Sequence, residues 1–250
     1  MYPILFSFLK ITIYSHGVLV ATGLILGGVI IFILARDEGL STKRLLDLLL
    51  YSVVAGLIGA RINYIISYHN LFSNPGEYFA IWRGGMVSYG GIIFGFGFAI
   101  WYLYKIKENV WRWLDIGVIG LMLGWTFGRI GCFLAGDILG KVTKSSFGLV
   151  MPAIDSLPRQ PVPLYEAFAT LIIFAVLLII YKTRVLKDGL LFFAGFGLYF
   201  IARFIIEFTR IYEQVFAGLS FSQIALIILF IISFYGFISR ARKPRVSARG

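Results

Sequence analysis

Gly124-Trp-Thr-Phe-Gly-Arg-Ile-Gly-Cys-Phe-Leu-Ala-Gly-Asp137 is the stretch whose reading decides the fold. It closes a run that is apolar from about residue 114, the length of a bilayer-crossing helix of about 20 residues. Near the end of that run sits a guanidinium, Arg129. A charge at the bilayer centre costs about 2.5–3.5 kcal/mol or more. Arg61 and Arg203 interrupt apolar segments in the same way, and Glu207 follows Arg203 one helical turn later. Three charges kept at that cost point to use. A planar guanidinium at membrane depth suits the phosphate of a phospholipid, which it grips with a bidentate fork.

Composition agrees with a membrane chain. The 250 residues are 59% hydrophobic and 17% aromatic, and the mean hydropathy is +0.88. Soluble domains are about 45–50% apolar. The formal net charge of +11 does not argue for nucleic acid, because the basic residues cluster between apolar runs as the positive-inside rule expects. A single cysteine, Cys132, excludes an internal disulfide. The N-terminal segment lacks the pattern of a cleaved signal peptide, so the first span is expected to stay in the membrane.

Hydropathy places spans at roughly 15–35, 46–67, 88–104, 114–134, 164–181, 189–208 and 220–238. The expected fold is all-α: a polytopic membrane protein of about seven transmembrane helices, forming one integral membrane domain over residues 1–250. Arg36, Lys43, Arg44, Lys105, Lys107, Arg112, Lys182, Arg184, Lys187, Arg240, Arg242, Lys243, Arg245 and Arg249 fall on one side. Lys10, Arg83, Lys141, Lys144, Arg159 and Arg210 fall on the other. The richer side is cytoplasmic by rule, so the N-terminus is expected outside and the C-terminus inside. The longer loops, about 68–87 and 135–163, then face outward. The basic tail suits anionic headgroups or a plain stop-transfer anchor. The glycine pairs Gly91/Gly95, Gly120/Gly124 and Gly124/Gly128 suit close helix contact, or leave room for a lipid chain.

On this topology the polar groups of distant spans gather toward one membrane face: Arg129, Asp137, Arg203, Glu207, Tyr89, and Pro161-Val-Pro-Leu-Tyr-Glu166. That is how a site forms between helices. Each residue has a plainer explanation. Arg203 and Glu207 can simply neutralise each other. Arg129 can cap a helix end or snorkel. Arg61 can be a structural partner of Glu166 or Asp137. Tyr89 can belong to the aromatic belt, and His16 can touch headgroups. Cys132 reads as a packing residue rather than a nucleophile. Two histidines, His16 and His69, do not suggest a metal site. No cofactor is expected, and no Ser-His-Asp set or phosphate-binding glycine loop emerges.

Gly128-Arg-Ile-Gly-Cys-Phe-Leu-Ala-Gly-Asp-Ile-Leu-Gly140 resembles the signature of the bacterial prolipoprotein diacylglyceryl transferases. The likeness continues through Tyr14-Ser-His-Gly17, Gly56-Leu-Ile-Gly-Ala-Arg61, the segment from Trp82 to Gly91, the segment from Pro161 to Glu166, and Ala202-Arg-Phe-Ile-Ile-Glu-Phe-Thr-Arg210. Ordered motifs in a seven-span frame make it specific. The chain departs from the family pattern at Cys132 and Ala135, where the family usually has Asn. It departs again at Tyr89, where the family has His, and at Gln160 and Pro163.

The resemblance implies transfer of a diacylglyceryl group from phosphatidylglycerol to the lipobox cysteine thiol of a prolipoprotein signal peptide. A thioether forms and glycerol phosphate leaves, as the first step of lipoprotein maturation in the bacterial cytoplasmic (inner) membrane. It implies that Arg129 and Arg203 hold the headgroup phosphate and that Glu207 orients Arg203. Tyr89 and Asp137 join them as candidate catalytic residues, with Asp137 standing where the family has glutamate. Arg61, His16, Tyr165, Glu166 and Gly140 are the further substrate-binding candidates. Two competing functions stay open: a related phospholipid-using transferase with a different acceptor, and a lipid or solute transporter, since buried arginines also mark substrate pathways.

Overall fold

Backbone polar groups in an apolar solvent have only one another as partners, so apolar runs of span length close on themselves as helices. The structure, a computed structural model, describes residues 2–8, 11–72, 74–79, 85–150, 155–183 and 186–242. Lys10, residues 82–84 with Arg83, Arg184, and the tail from 243 with Lys243, Arg245 and Arg249 lie outside the described residues.

Each of the seven expected spans is a helix. They are α1 (Ser15–Asp37), α2 (Thr42–Ser67), α3 (Ser88–Lys105), α4 (Val110–Ala135), α5 (Val162–Thr183), α6 (Leu190–Glu207) and α7 (Phe221–Arg242). Six of them are long and apolar enough to cross a membrane. The other is α3, which carries three tyrosines and Lys105 in 18 residues. Ile25, Leu50, Ile179, Ile205 and Ile231 are exposed, as suits helices surrounded by lipid rather than water. Two small antiparallel hairpins, not expected from the sequence, accompany the helices. The first pairs β1 (Ile4–Phe8) with β2 (Ile11–Tyr14). The second pairs β3 (Leu149–Val150) with β4 (Pro158–Arg159). By internal contacts the chain divides into two compact units, each described by itself below.

The first unit takes residues 1–31 and 114–250. Here α1 meets α4 backbone to backbone. A Cβ on Gly23 would lie 2.5 Å from the Gly124 carbonyl oxygen, and one on Gly120 would lie 2.5 Å from the Gly27 oxygen. The four-residue glycine spacing therefore serves close approach at Gly120 and Gly124. A Cβ on Gly128 would meet nothing within 4 Å, so the same spacing serves no contact there. Helix α6 begins at Gly189, in the left-handed conformation with φ +91. Its first N–H groups are capped from another helix. The buried Asp115 carboxylate of α4 accepts from Gly189 N at 2.6 Å and from Phe192 N at 2.8 Å, satisfying donors that a helix start leaves orphaned.

The second unit takes residues 32–113. Helices α2 and α3 cross with glycine against glycine: a Cβ on Gly90 would sit 2.2 Å from the Gly59 carbonyl oxygen. Arg61, buried on α2, donates to three backbone carbonyls of the following loop: Glu77 at 2.6 Å, Tyr78 at 2.9 Å and Gly85 at 2.9 Å. Tyr64 and Phe72 flank its guanidinium at 5.5 and 5.7 Å. One planar fork thus pins the loop, taking two of its carbonyls from the short 3₁₀ turn Pro75–Phe79. At the far ends of α2 and α4, Arg44 pairs with Glu108 and Arg112 with Glu38.

Removing the Asp115 carboxylate would take away the acceptor of the buried Gly189 N–H and of the part-buried Phe192 N–H. Asp115→Ala is expected to lower stability by about 1–3 kcal/mol, and Asp115→Asn by less, because the amide keeps one acceptor. Thermal unfolding in detergent measures both. An unchanged midpoint for Asp115→Ala would show that the cap contributes nothing.

Candidate functional site

The site in the first unit is a row of alternating charges across three helices. Arg129, in the last two turns of α4, places Nε 2.7 Å from Glu166 Oε2 at the start of α5. The other oxygen of the same carboxylate lies 2.7 Å from Arg203 Nη1 on α6. Arg203 Nη1 is also 2.7 Å from Glu207 Oε2, and Glu207 Oε1 is 3.8 Å from Arg210 Nη1. The Arg203–Glu207 pair expected from the i,i+4 spacing is present, but it is one link of five residues. Glu166 Oε1 and Oε2, Arg203 Nη1 and Glu207 Oε2 make these approaches as ion pairs, without the alignment of hydrogen bonds.

Burial gives the row a direction. The side chains of Glu166 and Glu207 are 1–2% exposed, that of Arg203 10%, Arg129 17% and Arg210 35%. The carboxylates are inside and the guanidinium groups reach outward. Three cations against two anions leave one positive charge in excess, in surroundings where electrostatic attraction is strong. A shallow recess lies beside Glu166 and Arg203, with Tyr199, Thr170 and Ala202 in its wall. Trp125 lies under Arg129, 5.3 Å from ring centroid to guanidinium carbon, and packs edge-on against Tyr199 at 5.7 Å.

The register of α4 on α5 is set one turn deeper. Thr126 Oγ1 and Thr170 Oγ1 lie 2.9 Å apart, both buried. Thr126 precedes Arg129 by three residues and Thr170 follows Glu166 by four, so each lies on the same helix face as the charge above it. The sequence reading passed over Thr126, Thr170 and Tyr199. Helical spacing from Arg129 and Glu166 was the available signal for the threonines.

The loop after α4 supports this row. Helix α4 ends at Gly136, φ +76, whose N–H bonds to the Cys132 carbonyl at 2.9 Å. Gly140 is buried, and a Cβ there would lie 2.0 Å from the Gln160 carbonyl oxygen. The next residue, Lys141, donates its N–H to the Thr209 carbonyl at 2.8 Å, and Gly140 itself bridges to Arg210. Gly140 is thus a packing requirement that lets the chain after α4 run between the starts of α5 and the end of α6. Tyr165 donates its hydroxyl to Gln160 Oε1 at 2.6 Å, and Gln160 Nε2 donates to Thr143 at 3.0 Å. Arg159 pairs with Asp155, holds that carboxyl below its usual range, and donates to the Gly140 carbonyl at 3.2 Å.

A second cluster gathers His16 of α1, Cys132 of α4 and Asp137 of the following turn, their ligand atoms all within 4.8 Å of one another. The sequence reading, counting only two histidines, expected no such grouping. Among the remaining candidates, Arg61 and Tyr89 belong to the second unit. Arg61 holds the loop carbonyls described above, and the partners of Glu166 are Arg129 and Arg203. Tyr89 stands at the start of α3 and is 74% exposed.

With this geometry in view, the comparisons with known proteins are consistent along the chain. A family model described as prolipoprotein diacylglyceryl transferase matches residues 3–239. The chain is 38% identical over 213 residues to the phosphatidylglycerol–prolipoprotein diacylglyceryl transferase of Tolumonas auensis, spanning 83% of this chain and 82% of the relative. It is 35% identical over 204 residues to phosphatidylglycerol–prolipoprotein diacylglyceryl transferase 2 of Clostridium perfringens, 79% of each. It is 33% identical over 218 residues to the Rickettsia africae protein of the first name, 83% of each.

Because Glu166 separates two arginines, Glu166→Ala is expected to cost about 3–5 kcal/mol by leaving buried charges unpaired. Folded yield from the membrane should fall more than for Glu207→Ala, whose loss still leaves Arg203 a carboxylate. Equal yields for the two variants, read by size-exclusion chromatography in detergent, would show that the shared carboxylate holds nothing together.

Proposed function

The chain belongs to the prolipoprotein diacylglyceryl transferase family, and we propose that it transfers the diacylglyceryl group of phosphatidylglycerol to the lipobox cysteine thiol of a prolipoprotein. The observation that carries the reading is the charged row from Arg129 to Arg210, with its carboxylates inside and one positive charge in excess. In this reading Arg129 and Arg203 hold the headgroup phosphate. Displacing glycerol phosphate builds negative charge on the leaving oxygen, and fixed guanidinium groups stabilise that charge without reorganising. Glu166 and Glu207 are positioning residues that keep the forks aimed. Asp137 and Tyr89 remain candidates for contact with the acceptor.

The membrane is the bacterial inner membrane in this reading, with the N-terminus outside and the reacting ends of α4, α5 and α6 toward the outer leaflet. Support comes from the excess of Lys and Arg on the opposite side of the spans and from the presence of Arg129, Arg203 and Glu166 at one end of their helices.

The test is transfer of labelled diacylglycerol from phosphatidylglycerol to a lipobox peptide, read by mass spectrometry. A thioether-linked product is expected. Lipid turnover without peptide modification would move the acceptor elsewhere, and lipid flipping with no covalent product would make the protein a transporter. Arg129→Ala should lower the rate about a hundredfold or more, the loss of about 2–4 kcal/mol of transition-state stabilisation. Arg129→Lys should rescue little, since an ammonium cannot reproduce the fork. Arg203→Ala should be as severe, and Arg203→Ala with Glu207→Ala no worse than Arg203→Ala alone, because contacting groups are not additive. Recovery of activity per folded protein in that double variant would remove Arg203 as a phosphate ligand.

A further inference from the structure

The cluster of His16, Cys132 and Asp137 is unexplained by the charged row. It combines an imidazole from α1 with a thiol and a carboxylate from the end of α4 and the turn after it, with every ligand atom within 4.8 Å of the other two. His16 Nδ1 is buried and has no hydrogen-bond partner in the protein. Leaving a polar atom so is costly, unless something occupies the space it faces. Cys132 is half-buried, and Asp137 is exposed on the turn that Gly136 opens. Neutral imidazole, thiolate and carboxylate are the donor types of zinc coordination. Bond lengths of about 2.0–2.3 Å put tetrahedral ligands about 3.3–3.8 Å apart. With the three atoms already within 4.8 Å of one another, closure asks for no more than about 1.5 Å of side-chain movement, within reach of rotamer adjustment.

We propose that His16, Cys132 and Asp137 bind one thiophilic divalent ion of the Zn²⁺ class and leave its fourth position for the acceptor thiol. The proposal rests on the transferase reading above. That reaction needs a thiolate, because the thiol is a poor nucleophile, and a free cysteine of pKa about 8.5 is mostly protonated near neutral pH. A metal ion deprotonates a coordinated thiol outright, and a three-ligand site with an open position is the catalytic form of such a centre. The proton balance is simple. Cys132 gives its proton to solvent when the ion binds, and the acceptor cysteine gives its own when it takes the fourth position. The acceptor sulfur then donates an electron pair to the glyceryl carbon bonded to the phosphate oxygen. The C–O bond breaks, and its electron pair departs with glycerol phosphate. Nothing is oxidised or reduced. The thioether product carries no charge and is a weak ligand, so it releases the ion. Arg129 lies one turn before Cys132 on α4, which puts the phosphate-holding group and the thiol-activating group on one helix end. In this account Cys132 is a ligand and not the packing residue that the sequence suggested.

The experiment titrates the purified, folded full chain in detergent with Zn²⁺ and with Co²⁺. One ion per chain is expected, with a near-ultraviolet thiolate-to-cobalt charge-transfer band that grows when a lipobox peptide adds a second thiolate. Cys132→Ser should abolish the band of the free protein, and His16→Ala should weaken zinc binding at least tenfold. Equal zinc binding by wild type and Cys132→Ser overturns the site, as does absence of binding. Stripping the ion with a chelator should lower transfer at least tenfold, and Zn²⁺ should restore it. Full transfer by the stripped protein overturns thiol activation while leaving the transferase reading intact. Zinc binding and a peptide-enhanced cobalt band without any transfer from phosphatidylglycerol would support the ion site and count instead against the transferase reading.

Discussion

The carboxylate of Glu166, almost fully buried and held by two arginines from two other helices, is the interaction on which the rest of the first unit depends. Arg129 and Arg203 repel each other, and neither can lie at membrane depth alone without a large cost. A single carboxylate between them converts two unfavourable charges into a bridge across α4, α5 and α6. Its two oxygens face different partners, so its rotation is fixed by both at once. Everything that aims the guanidinium groups follows: Glu207 secures the far side of Arg203, Trp125 lies beneath Arg129, and the Thr126–Thr170 contact fixes the register below.

Helix packing in the absence of water cannot rely on hydrophobic burial, and the structure uses two substitutes. One is close backbone approach, seen where Gly23 meets Gly124 and Gly27 meets Gly120. The other is polar satisfaction across helices, seen at Asp115 under the start of α6 and at the Ser233 hydroxyl, which donates to the Phe193 carbonyl at 2.7 Å. The glycine contacts brace α4 within two turns of Arg129, and the Asp115 and Ser233 bonds fix α6 at the end opposite Arg203 and Glu207. In the proposed role, guanidinium groups on helices so braced would meet the phosphate without side-chain searching, the condition that electrostatic catalysis sets.

The seven apolar runs were legible because span length and composition leave few alternatives, and each helix boundary lies within several residues of its expected place. The charged residues of the row were legible as candidates for the same reason: charge in an apolar run stands out. Their connectivity was not. Nothing in the spacing of Arg61, Arg129 and Arg203 says which of them shares Glu166, because the pairing depends on how helices distant in sequence pack. Gly120, Gly124 and Gly128 share one spacing, but only the first two face another backbone, and the sequence does not tell which way a helix is turned. Asp115 went unread because its partners are backbone N–H groups, which leave no mark on the sequence. The short hairpins escaped for a different reason: strands of two to five residues carry too little alternation to register.

The distribution of the charged row along the chain bears on how the protein reaches the membrane. Helix α6 brings Arg203 together with its own partner, Glu207, one turn away. Helix α4 carries Arg129 with no carboxylate on its last turns, and the one it needs arrives only with α5. During synthesis α4 therefore emerges from the insertion machinery bearing an uncompensated cation, which favours keeping its end at headgroup depth. That end of α4 would settle only as α5 delivers Glu166. Biogenesis of this bundle is thus cooperative between successive hairpins, and the order of the helices along the polypeptide is itself part of what makes a charged cluster tolerable in lipid.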